Sequence, residues 1–132
     1  MTTKNFFIFQ ALVSLVYGIQ LLFVPSMLVS VFTSQTLEVT SVLDVISRGY
    51  GTLLTAVGIA YWTARDAGAS IARRSMLLMP AIGNTLVTIV HIRAILQGTE
   101  NALGWTTVLI TAVLAVWSGL LWSKDAAATN LS

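Results

Sequence analysis

The chain has 132 residues, of which 56% are hydrophobic and 9% charged. Soluble domains carry about 25% charged residues, and a chain this poor in charge could not cover its own surface, so composition alone points to the membrane class. The net charge of +2 rests on seven Lys and Arg, with no basic patch of the kind nucleic acid needs, and the lack of cysteine removes disulfides, thiolate metal sites and cysteine nucleophiles.

In chain order, the first apolar run covers residues 6–24. It is longer than the apolar core of a signal peptide, and no small-residue cleavage motif follows, so it reads as a retained span over 5–24. Pro25 ends that helix because it lacks a backbone donor. Met27, Leu28, Val31 and Phe32 then recur at helical spacing and predict a short interfacial helix. Residues 49–64 are uncharged but fall short of the ~20 residues a span needs. The second span therefore extends back over 41–64 and takes Asp44 and Arg48 into the membrane's outer layer. A polar turn at 65–73 leads to a third span over 74–97, and a tight turn starting at Gly98 to a fourth over 103–123. The tail from Lys124 is small and polar, and fraying is expected there. The apolar runs are too long and continuous for transmembrane strands. Short connections force antiparallel neighbours, so the expected fold is an all-α membrane protein, a single domain of four transmembrane helices in an antiparallel up-down-up-down bundle.

Lys4, Arg65, Arg73, Arg74 and Lys124 all fall on one side of this arrangement, and Glu38 and Glu100 on the other. The excess of basic residues places both termini in the cytoplasm. Tyr61, Trp62, Trp105 and Trp122 lie near span ends, where interfacial aromatics gather.

The second span organises the rest. Asp44, Arg48, Gly51, Thr55, Gly58 and Trp62 share one helical face. Gly51, Thr55 and Gly58 offer a close-packing surface for another helix. Asp44 and Arg48 are spaced for an intrahelical ion pair, and the alternative role for Arg48 is to bind an anionic or carbonyl-bearing ligand. Gln20, Asp44, Arg48, His91 and Arg93 share the outer layer, with Tyr17 just beneath and Asn84 near the midplane. On the third span Pro80, Asn84, Thr88 and His91 form a stripe; on the first Gln10, Tyr17 and Gln20 do; on the fourth Thr107, Thr111 and Ser118 do. Arg93 points about 200° away from His91 and reaches for headgroups instead. The candidate ligand-binding set is Tyr17, Gln20, Asp44, Arg48, Asn84 and His91.

Plainer roles stand beside these. His91 suits an interhelical hydrogen bond, Asn84 a bond across to another helix, and Pro80 frees the carbonyl of Met76 at a structural kink or hinge. With one His and no Cys, a zinc, copper or haem site within one chain is not expected; a symmetric oligomer could bring two copies of His91 together, but nothing in the sequence requires it, and no cofactor is expected. The Gly49-Tyr50-Gly51 triplet lies inside a continuous helical pattern and lacks the loop of a potassium filter. Metalloprotease, hydrolase and nucleotide-binding motifs are absent, and Asp44 beside Arg48 would make a poor acid. The chain is too short for paired inverted repeats unless it dimerises.

Three segments carry a family resemblance: Gly18 to Pro25 as G-x-x-x-L-x-x-P, Arg48 to Gly51 as R-x-x-G, and Asn101 to Trp105 as N-A-x-G-W. With these the chain resembles small bacterial four-span membrane proteins of the DoxX-like kind. The resemblance implies a four-helix bundle in a bacterial inner membrane, and some such relatives are accessory subunits of quinol oxidases or thiol-redox complexes. The missing cysteines argue against thiol chemistry here. A more distant likeness is to the four-span class of emopamil-binding proteins, which use buried carboxylates in a sterol pocket; Asp44 is the acid at comparable depth in this chain. These readings favour a non-enzymatic protein acting by association, as a homo-oligomer or an accessory subunit of a larger membrane complex, with membrane lipids as its surroundings and no nucleic-acid partner. A lipid- or quinone-like ligand binder with an outer-leaflet polar pocket comes second, and a small transporter or channel third.

Overall fold

The computed structural model describes residues 2–34 and 40–129. They form five helices: α1 (Thr3–Phe23), α2 (Pro25–Phe32), α3 (Ser41–Ala64), α4 (Ile71–Leu96) and α5 (Gly104–Thr129). All but α2 are long and apolar enough to cross a membrane. Hydroxyl caps start three of them. Thr2, Thr40 and Ser70 accept from the amides of Asn5, Leu43 and Arg73, satisfying donors that a helix start leaves open. Pro25 opens α2 at a position where its missing donor costs nothing. Gly98 ends α4 with φ of 72°, a left-handed conformation that favours glycine, and its turn returns amides to the carbonyls of Ile95 and Ala94.

The α1–α3 contact is a close one, backbone against backbone. A Cβ added to Gly51 would lie 2.6 Å from the amide nitrogen of Leu22 and 2.7 Å from the carbonyl oxygen of Gly18. One added to Gly18 would lie 2.7 Å from Thr55, and one added to Gly58 would lie 2.7 Å from Leu15. Residue numbers fall along α3 as they rise along α1, so the two helices run in opposite directions. The predicted packing face of Gly51, Thr55 and Gly58 is thus occupied by α1. The α4–α5 pair is stitched in the same opposed sense, by Arg73 with Asp125 near one end and Thr88 with Thr111 further along.

The two pairs meet most firmly at one end. Phe6, Phe7, Ala11, Tyr61, Leu77 and Leu114 are fully buried there, with Trp117 edge-on to Phe6. Lys4, Arg65, Arg73 and Arg74 gather at the same end, while Arg48 and Arg93 lie toward the other. Lys4 pairs with Asp66 at 2.7 Å, Arg65 reaches Asp66, and Arg74 lies over the Trp122 ring. The Lys4 ammonium, donating a hydrogen bond to Asp66 and adding its charge to that of Arg65, holds the Asp66 carboxyl below the usual aspartate range.

Several expectations need correction. Tyr61 is not an interfacial aromatic. It is fully buried, and its hydroxyl donates to the carbonyl of Met76 at 2.9 Å. That is the carbonyl freed by Pro80, so the buried phenol supplies the donor that proline removed. The tail from Lys124 does not fray at once: α5 runs to Thr129, and Asp125 is held by two bonds to Arg73, at 2.7 and 2.8 Å. The third long helix begins at Ile71 rather than 74, because Ser70 caps it. Trp62 and Trp105 are exposed, while Glu38 lies outside the described residues.

Candidate functional site

Away from the aromatic end the two helix pairs separate around a partly open cavity of about 360 Å³. The α1 wall is Gln10, Val13, Ser14, Tyr17 and Leu21; α3 contributes Tyr50 and Leu54; α4 contributes Asn84, Val87 and His91; α5 contributes Thr107, Ile110 and Thr111. Leu28, Val29 and Phe32 of α2, together with Thr33, close the far side, and Glu100 enters from the turn between α4 and α5. The lining is mostly apolar with a few converging polar groups, which is the general character of a small-molecule pocket.

The polar groups fall into three sets. Deepest is a chain across the helix pairs, in which Asn84 donates to Gln10 at 3.2 Å and Gln10 donates to Ser14 at 3.2 Å. Beside it, the hydroxyls of Thr88 and Thr111 lie 2.7 Å apart, and each also lies within reach of a carbonyl of its own helix, Asn84 and Thr107 respectively. Each hydroxyl has one proton, so one of these three contacts lacks a donor at any moment. The third set, at the outer rim, is His91 and Glu100, with Nδ1 to Oε2 at 2.8 Å. Both side chains are mostly shielded, at 26% and 17% exposure. A carboxylate on Nδ1 fixes the ring and leaves Nε2 as the other available nitrogen.

The turn carrying Glu100 also holds α2. The Asn101 amide donates to the carbonyl of Phe32, its side chain donates to the carbonyls of Val31 and Thr33, and the Ser34 amide donates to Thr99. The end of α2 is therefore tied to the turn that aims Glu100 into the cavity.

Of the six candidate residues, Tyr17, Asn84 and His91 line this cavity, and Gln20, Asp44 and Arg48 do not. Gln20 is exposed. Arg48 bonds Asp44 at 2.8 Å and donates to the carbonyl of Leu22 at 2.7 Å. That carbonyl lies in the last turn of α1, where helix carbonyls lack amide partners, so Arg48 caps α1. Glu100, Gln10, Tyr50, Thr107 and Thr111 were outside the candidate set. Gln10, Thr107 and Thr111 already stood on the polar stripes of their helices, and that was the available signal. Glu100 had only its position across a tight turn from His91. It also replaces Asp44 as the carboxylate at the cavity. Among the described residues no group of three His, Asp or Glu is placed to hold a metal ion.

The fold and site together define an all-helical bundle, with four helices able to span a membrane and a small-molecule-sized cavity at one end. Neither protein-family models, nor curated proteins, nor solved structures yield a match to this chain.

Proposed function

We propose that this is a multi-pass membrane protein that binds a lipid- or quinone-like small molecule in the cavity between its helix pairs. The observation that carries the reading is the cavity itself: about 360 Å³, mostly apolar, with Tyr17, Asn84 and His91 among its walls. Pockets for small molecules fall in the range of about 300–1,000 Å³ with this kind of lining. In this reading α1, α3, α4 and α5 cross up-down-up-down. The end rich in Lys and Arg faces the cytoplasm with both termini, and the cavity lies in the outer leaflet. The DoxX-like motifs support a bacterial inner membrane as the setting. The role is non-enzymatic and is carried out by binding.

Association with another subunit would need a surface other than the small-residue face of α3, since Gly51 and Gly58 are used up against α1. Transport would need a wet path, and the buried layer of Phe6, Phe7, Tyr61 and Leu114 offers none in this conformation.

The test is native mass spectrometry of the full chain released from lipid nanodiscs, beside a cavity-filling Val87→Trp variant. The wild type should retain a small apolar molecule that the variant loses, with helicity unchanged. A wild type that carries nothing, or a variant that carries the same molecule, would sink the proposal.

A further inference from the structure

We infer that the cavity selects a neutral head, a hydroxyl or carbonyl on an apolar body, and that Glu100 enforces the choice by rejecting anions. This rests on the binding role proposed above. Among the described residues, no Lys, Arg or Asp lines the cavity. Its charge is confined to Glu100 and, when protonated, its partner His91.

Glu100 is already committed. Its Oε2 lies 2.8 Å from His91 Nδ1. The same oxygen packs against Gly104, the first residue of α5, so closely that a Cβ there would fall 2.6 Å from it. The first amides of α5 are already bonded to Asn101, Ala102 and Leu103, so the helix start acts on Glu100 through the positive end of its dipole, which favours a carboxylate there. A carboxylate paired with an imidazole and set at the positive end of a helix attracts an ammonium group less than an unpaired one would. A ligand carboxylate or phosphate would meet Glu100 with no Lys or Arg to offset the repulsion, and where His91 is neutral the like charges brought together at a shielded site are strongly disfavoured.

The uncommitted groups are neutral. Among the described residues the hydroxyls of Tyr17, Tyr50 and Thr107 take part in no hydrogen bond, and all three residues line the cavity. Each can donate to a carbonyl or exchange bonds with a hydroxyl. Tyr17 and Thr107 are half-buried and Tyr50 is exposed, so all three hydroxyls can be reached, and a ligand head that bonds them gains contacts that a hydrocarbon chain without a head cannot make. The ligand therefore has one neutral hydrogen-bonding head at the rim and an apolar body directed at Val13, Leu54, Val87 and Ile110.

Three chain-matched probes separate the possibilities: 1-dodecanol, dodecanoate and dodecylamine, each ¹³C-labelled at the head carbon. They are titrated into the full chain in zwitterionic nanodiscs at about pH 9, where the acid is ionised and the amine mostly protonated. Protein-free nanodiscs control for partitioning. Dodecanol should give a saturable shift, with dodecanoate at least about tenfold weaker and dodecylammonium also weaker than dodecanol. Glu100→Gln should bring dodecanoate to within a few-fold of dodecanol, and Tyr17→Phe should weaken dodecanol about fivefold. If Glu100→Gln does not fold, the wild-type order of the three probes decides alone. Dodecanoate equal to dodecanol, dodecylammonium tighter than either, or a Tyr17→Phe variant with unchanged dodecanol affinity would overturn the inference. If no probe saturates, the binding role itself falls.

Discussion

Gly51→Ala is the most direct test of how the first helix pair is built. A Cβ at Gly51 would meet three backbone atoms of α1: the nitrogen of Leu22 at 2.6 Å, the oxygen of Gly18 at 2.7 Å and the carbonyl carbon of Leu21 at 2.9 Å. None of these is the end of a flexible side chain, so α1 itself must move. Overpacking costs about 1–3 kcal/mol, and a backbone-on-backbone clash belongs at the upper end. Alanine returns up to about 1 kcal/mol of helix propensity, for a net loss of roughly 2 kcal/mol. Gly49, two residues earlier, has nothing within 4 Å of its added Cβ, so Gly49→Ala collects the propensity term alone. The two variants should differ by about 3 kcal/mol, roughly a hundredfold in the unfolding equilibrium. Gly58→Ala should fall between them, because its nearest neighbour is the side chain of Leu15, which can shift. The assay is reversible unfolding of the full chain in mixed micelles by SDS titration, followed by tryptophan fluorescence. If Gly51→Ala matches Gly49→Ala within about 0.5 kcal/mol, the α1–α3 contact is not as close as described and the reasoning fails.

Three further outcomes are expected. Tyr61→Phe should cost about 1–2 kcal/mol by leaving the Met76 carbonyl without its donor. Pro80→Ala restores an amide to that carbonyl, so a double-mutant cycle should show most of the Tyr61→Phe cost disappearing in the Pro80→Ala background. Asp125→Ala should destabilise by about 3 kcal/mol because it leaves the Arg73 guanidinium, only 16% exposed, without its carboxylate, and an Arg73→Met, Asp125→Leu double variant should recover most of the loss in the same SDS titration. The folded Asp66 carboxyl titrates below its ordinary value, so its pairing stabilises the chain fully above that value, and the contribution disappears as pH falls through the lower, folded one. Lys4→Met should flatten most of that acid-side slope in a plot of melting temperature against pH, Arg65 keeping the remainder, and an unchanged slope would separate Asp66 from Lys4.

The helices were legible because they rest on local signals. Proline after Val24, glycine at position 98 and long uncharged runs mark boundaries without reference to any distant residue. The missed start at Ile71 was also local, and lay in Ser70 acting as a cap three residues before Arg73. Site residues were harder. Equal depth put Asp44 and Arg48 beside His91, but depth does not say which way a side chain turns once a neighbouring helix is placed. Arg48 turned to the open carbonyl of Leu22, a partner 26 residues away in sequence. Glu100 reached the cavity because the Gly98 turn folds it back toward His91, and a loop position carries no helical phase from which to read that.

The cavity follows from how residue volume is distributed along the inward faces. Where Phe6, Phe7, Tyr61 and Trp117 meet, bulky rings fill the space between the pairs, and a buried phenol repairs the break at Pro80. Toward the other end the inward positions include Gln10, Ser14, Asn84 and Thr111, which are smaller and bond among themselves or to their own helices rather than filling the gap, and Thr107, whose hydroxyl stays unbonded among the described residues. Packing to normal interior density requires the facing volumes to match. Gly51 pulls α3 onto α1 and does nothing to bring that pair closer to α4 and α5. Close packing within each pair and small polar residues between the pairs therefore leave a space at one end, and Glu100 is the charge placed at its rim.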